Sequence, residues 1–239
     1  MTDPRTPADP SRTHSTHPDS RWHVEPGGPP VTIGLGTRTL TKASVGPMDN
    51  NAYIVADADG PVVLVDAAAD PGRLTALIAG RTVGAIVTTH QHHDHLTALA
   101  EMAQRTGADL VCGTPDREAI EQRTGTRQHG VWDGDVVHCG TIDLSVVGLV
   151  GHTEGSIALE VTAPAGADAP VHLLTGDTLF PGGVGRTESP DDFISLWTDV
   201  VTKIFEAYDD DTVVHPGHGD STTLGAERPH LADWRTRGW

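Results

Sequence analysis

The stretch VGAIVTTHQHHDHL, Val83–Leu96, runs a short apolar, β-branched segment straight into four histidines and one aspartate within six positions, His90 to His95. The apolar part reads as a buried strand, and the polar part reads as a turn entering a helix. In an extended segment, residues two apart point the same way, so His90 and His92 can grip one ion. Asp94 and His95 fall where the helix begins and can turn toward a second ion. A metal site needs more ligands than these, and the chain supplies them at the ends of other apolar runs. LSVVGLVG leads to His152, VHLLTG to Asp177 and TVVHPG to His218. Side chains at strand ends, and in the loops just after them, stand on rigid scaffold, where sites tend to be built.

His152 offers a third imidazole beside His90 and His92. His218 can complete the set begun by Asp94 and His95, and Asp177, with two carboxylate oxygens, can bridge. Imidazole and carboxylate without thiolate suit zinc first, with iron or manganese as alternatives. Two such ions about 3.5–4 Å apart can hold a hydroxide between them and bring its pKa toward neutrality. Asp94 would also orient that hydroxide. His93 alternates away from this set. His215 lies inside an apolar strand and reads as a packed, hydrogen-bonded histidine. His23, His129, His138, His172 and His230 carry no partner pattern.

On either side of this stretch the elements alternate in kind. AYIVAD (52–57) and PVVLVDAA (61–68) read as a hairpin across ADG. DPGRLTALIAG, LTALAEMAQRTG and SPDDFISLWTDVVTKIFEAY read as helices from their apolar spacing, the last being the longest. ADLVCG, DGDVVHCGTIDLSVVG, SIALEVTA and VHLLTGD read as further strands. Hairpins in both halves, each β-rich stretch leading into helix, predict an α/β sandwich of two facing sheets with helices outside. Residues 1–30 are rich in Pro, Thr, Ser and Asp and read as a flexible tail that adds nothing to stability, in which His14 and His17 are solvated; residues 31–239 form the folded domain.

The chain has 239 residues and a formal net charge of −17, which disfavours nucleic acid and anionic membrane surfaces as partners. Aromatic residues are 4% of the chain, so the core must come from Val, Leu, Ile and Ala. Two cysteines, Cys112 and Cys139, lack CxxC spacing and fit a reduced, cytoplasmic setting. The first 30 residues hold no signal-peptide apolar core, and no run of about 18 apolar residues occurs that could span a bilayer.

HQHHDH (90–95), GHTEGS (151–156), LLTGDTLFPGGVGRTE (173–188) and HPGHGDSTTLGAE (215–227) together resemble the metallo-β-lactamase superfamily, and within it the glyoxalase II-like branch. GPMDNNAYIV (46–55) looks like the family's first strands. The resemblance implies a four-layered αββα sandwich. It also implies a first site of His90, His92 and His152 and a second of Asp94, His95 and His218, with Asp177 bridging. True β-lactamases of this fold lack that aspartate, so a lactam substrate is disfavoured. The implied activity is a dinuclear metal-dependent thioesterase acting on S-acyl conjugates of a small thiol. Persulfide dioxygenases share nearly the same motifs with one iron, on His90, His152 and Asp177, and stand as the alternative; a lactonase and a non-catalytic metal-binding module are further readings. Glyoxalase II enzymes of the longer type carry a C-terminal helical segment with basic residues for glutathione, whereas this chain ends at Trp239, and Arg228, Arg235 and Arg237 do not match those positions. Glu154 stands where the family commonly has Pro. Arg186, closing the glycine-rich PGGVGR after Asp177, is expected to face substrate.

Overall fold

In the computed structural model, residues 22–238 are described. Two sheets face each other. The first contains β1 (Val31–Leu35), β2 (Arg38–Val45), β3 (Asn50–Asp57), β4 (Val62–Val65), β5 (Val83–Thr88), β6 (Asp109–Gly113) and β7 (His129–Val131), ordered along the sheet as in the chain. The second contains β8 (Val136–Cys139), β9 (Ile142–Gly148), β10 (Ile157–Val161) and β11 (His172–Gly176). A small hairpin, β12 (Leu179–Phe180) with β13 (Gly183–Val184), precedes β14 (Val213–Pro216) and β15 (Thr222–Thr223). The second sheet runs β15-β14-β11-β10-β9-β8, and β14 lies parallel to β11.

Alternation along the strands builds the layers. In β3, Tyr53 and Val55 face inward, packing with Val63 and Val87 of their own sheet and Leu144, Leu159 and Leu174 of the other. Ala52, Ile54 and Ala56 face outward, under helices α1 (Pro71–Ile78), α2 (Leu99–Thr106) and α3 (Arg117–Thr124), through Leu74, Met102 and Ile120. The outer face of the second sheet, with Ala158, Leu173 and Val214, is covered by α4 (Pro190–Asp199), α5 (Leu224–Glu227) and α6 (Leu231–Arg237), through Leu196, Leu224 and Trp234. The result is the expected αββα sandwich. The 190–205 helix is α-helical only to Asp199 and continues as a π-helical segment, Val200–Phe205. Among the described residues, no helix is long and apolar enough to cross a membrane.

Two expectations differ from the structure. β1 and β2 were not legible as strands, because Arg38 and Lys42 interrupt the apolar alternation of β2; both side chains are nonetheless buried. The tail read over residues 1–30 is too long at its C-terminal end: Trp22 and Val24 are only 9% and 6% exposed. Trp22 sets its ring edge-on to His172 and His215, with centroids 6.1 and 5.9 Å apart. An isolated aromatic gains burial from partners far along the chain, which local composition does not reveal. The tail reading for residues 1–21 lies outside the described residues.

Candidate metal centre

The strand ends bring these side chains together. β5 runs into His90 and His92, and a 3₁₀ turn, His93–His95, presents Asp94 and His95. The loop after β9 brings His152, Asp177 comes directly after β11, and His218 comes two residues after β14. One potential ligand atom from each of His90, His92 and His152 lies within 4.8 Å of the other two; the same holds for Asp94, His95 and His218, and for His90, His95 and Asp177. Asp177 sits between the two sets. Its Oδ1 is 3.4 Å from His95 Nε2, and its Oδ2 is 3.8 Å from His152 Nε2 and 3.5 Å from His218 Nε2. Asp94 Oδ2 is 3.1 Å from His218 Nε2 and 3.6 Å from His95 Nε2.

In four of the five rings the far nitrogen has a fixed partner. His218 Nδ1 is 2.9 Å from the Met48 carbonyl and His152 Nδ1 is 2.7 Å from the Arg186 carbonyl. His95 Nδ1 is 3.0 Å from Asp66 Oδ2. Thr89 Oγ1 donates to Asp66 Oδ2, so at 3.0 Å it accepts from His90 Nδ1. Each of these Nδ1 atoms therefore carries a proton, which leaves Nε2 as the atom that would ligate a metal, after losing its own proton where it holds one. His90 Nε2, His152 Nε2 and Asp177 Oδ1 are buried with no hydrogen-bond partner. Three orphaned acceptors facing one small space cost free energy unless a cation meets them. The donor set fits divalent metal.

Charge is distributed to match. Burial holds His90 well below the ordinary histidine pKa, and burial likewise lowers His152. Burial also opposes charge on His95, but Asp66 and Asp177 outweigh it and raise its pKa to about 10. His218 behaves alike: burial is overcome by Asp177 and Asp94, and its pKa rises to about 10. The hydrogen bond from His218, with that from Asn50, holds Asp94 well below the usual carboxylate range. For Asp177, burial is outweighed by the close approach of His218 and His95, and its pKa falls strongly. His90 and His152 are thus held as neutral imidazoles, and the other half carries fixed anions that favour positive charge.

Glycines leave the room. A Cβ at Gly217 would lie 2.2 Å from Asp177 Oδ1, and one at Gly185 would lie 1.7 Å from the Asp177 carbonyl oxygen. A cavity of about 630 Å³ is lined by Arg186, Ser189, Phe193 and Arg237 among others, and the Arg186 carbonyl is the one that accepts from His152. His93 is exposed, and His215 is buried, hydrogen-bonded to His172 and Ser221 at 2.8 Å each. Sequence reasoning missed Asp66, which orients His95, and Asn50, whose Nδ2 donates to Asp94 Oδ2 at 3.0 Å. Asp66 ends the apolar run VVLVD, the same strand-end signal that marks Asp177.

Known proteins resemble this chain to different extents. The chain is 32% identical over 219 residues to an uncharacterized protein of Mycobacterium leprae, covering 79% of this chain and 95% of that one. It is 32% identical over 145 residues to a hydroxyacylglutathione hydrolase of Polaromonas sp., covering 60% of this chain; the match spans about half, 51%, of that enzyme. Among solved structures, that of BLEG-1 B3 metallo-beta-lactamase superposes with a TM-score of 0.68 at 25% identity, covering 82% of this chain and 99% of that one. The family model of the metallo-beta-lactamase superfamily matches residues 45–218, which include all seven convergent His and Asp residues, and the chain belongs to that superfamily.

Proposed function

We propose that this chain is a dinuclear metal-dependent thioesterase of the glyoxalase II type, cleaving S-acyl conjugates of a small thiol. The observation that carries the reading is Asp177, one carboxylate within 4 Å of imidazoles from both ligand sets. His90, His92 and His152 would hold one ion, Asp94, His95 and His218 would hold the other, and Asp177 would reach both. Two divalent ions, zinc first with iron or manganese as alternatives, would supply an acidified water nucleophile and polarise the thioester carbonyl. Asp94, fixed by Asn50 and His218, orients that water. Attack at the acyl carbon breaks the C–S bond, and the thiol leaves as a thiolate, which needs no strong general acid. An amine leaving group would need a proton, which disfavours a lactam. The partial relative named hydroxyacylglutathione hydrolase supports the same class. Arg186, whose carbonyl holds His152, also lines the 630 Å³ cavity and would face the thiol carrier there with Arg237.

The test combines metal analysis with a thioester panel assayed without oxygen. The expected result is close to two ions per chain, thioester cleavage, and a loss of roughly a thousandfold in Asp94→Ala, about 4 kcal/mol of transition-state stabilisation. One tightly held iron, oxygen uptake with a persulfide and no thioester cleavage would replace this reading with a mononuclear dioxygenase on His90, His152 and Asp177.

A further inference from the structure

The loops that carry His90 and His92 on one side and His152 on the other come from different sheets, and one buried carboxylate joins them. Asp116 opens α3, where an aspartate commonly accepts from the helix's own backbone, but it makes no such cap. Its side chain is fully buried and points to the two loops instead. Oδ2 accepts from Gln91 N at 2.9 Å and from Thr153 Oγ1 at 2.7 Å. Oδ1 accepts from Gln91 Nε2 at 3.1 Å and from Gly155 N at 2.8 Å. Each oxygen therefore takes one donor from the residue between His90 and His92 and one from the segment just past His152. Glycines permit the approach: a Cβ at Gly155 would stand 2.3 Å from Asp116 N, and one at Gly113 would stand 1.9 Å from the Gly155 carbonyl oxygen.

We propose that Asp116 is the positioning residue of the first ligand set, locking the two loops so that His90, His92 and His152 meet at the spacing one cation needs. The imidazole rings already pack at that spacing, with centroids 4.5 to 4.9 Å apart. The inference rests on the metal-centre reading and not on the substrate. An asparagine of the same shape cannot replace the carboxylate. Whichever way its amide turns, the NH₂ faces two donors, one from each loop, so each loop loses one of its two bonds to the side chain.

The experiment is a Zn²⁺ titration against a chromophoric chelator, in wild type and in Asp116→Asn, each also combined with His218→Ala or with His92→Ala. Asp116→Asn should weaken one of the two ions by about 10- to 100-fold. The same loss should appear in the His218→Ala background, which keeps only the first set intact. In the His92→Ala background, where that set is already broken, the remaining ion should change by no more than about twofold. A purely structural aspartate would instead lower the melting temperature of the metal-free protein and weaken both ions alike. Thr153→Val, which removes one of the four donors, should move the first ion in the same direction by less and serves if Asp116→Asn does not fold. Equal losses in the two backgrounds, or unchanged affinity in the variants that fold, overturn the proposal. Failure of wild type to bind two ions would sink the metal-centre reading, whereas failure of the thioester assay alone would leave this experiment standing.

Discussion

At the scale of single residues, Gly217 shows how little slack the centre has. Its backbone has no positive φ, so the glycine is needed for space and not for conformation. Gly217→Ala places a methyl against Asp177 Oδ1 and His95 Cε1. We expect a folded protein whose kcat in the proposed thioester cleavage falls about a hundredfold, as for reacting groups displaced by an ångström; steady-state kinetics with far-UV circular dichroism check it. Unchanged kinetics would show that the 216–219 loop yields. The seven ligand-type residues were legible because histidine and aspartate at strand ends announce themselves by type and spacing. Asp66, Asn50 and Asp116 were not. Their partners are 29, 44 and 25 to 39 positions away, and nothing local distinguishes them from residues that cap a turn.

At the scale of elements, the segment at Trp22 behaves as part of the fold. It closes over a buried polar chain in which His172 bonds His215, His215 bonds Ser221, and Lys42 Nζ donates to Ser221 Oγ at 3.1 Å. Trp22→Ala should cost about 3 kcal/mol, in the range for a large aromatic removed from a core, and urea denaturation would measure it. A loss below about 0.5 kcal/mol would mean that the segment merely rests on the surface. The same chain sets a pH dependence. Burial holds the His172 pKa down to about 4, against 6.5 when exposed. Between these values the unfolded state takes up a proton that the folded state refuses, so stability falls as pH drops from 6.5 and levels off below 4. At about 1.4 kcal/mol per unit, the His172 share is on the order of 3 kcal/mol. His172→Gln should flatten the wild-type stability curve between pH 6.5 and 4, and parallel curves would refute the assignment. β1 and β2 escaped sequence reading for a related reason: Lys42 is satisfied by the Gly219 carbonyl at 2.7 Å and by Ser221, contacts almost 180 residues away.

At the scale of the whole molecule, the ligands come from both sheets, so bound ions would cross-link them. Chelation should therefore lower the melting temperature. An ion at a thousand times its dissociation constant contributes about 4 kcal/mol, and differential scanning calorimetry with and without EDTA reads the shift. No shift would mean that the centre is empty in the purified protein or held without coupling to the fold. The layered architecture was legible because strand and helix periods differ and the apolar runs are clean. The strand order was not, since pairings such as β4 with β5 and β11 with β14, both parallel across intervening chain, depend on contacts that no local window contains. That topology also has a meaning in time. Synthesis proceeds from the N-terminus, and domains fold from emerged chain. His90, His92 and His152 are all made before Asp177, and His218 comes last, just after a strand that docks beside β11. A nascent chain can present the first ligand set well before the second exists, so the order in which the ribosome delivers residues is also the order in which the two halves become able to take up metal.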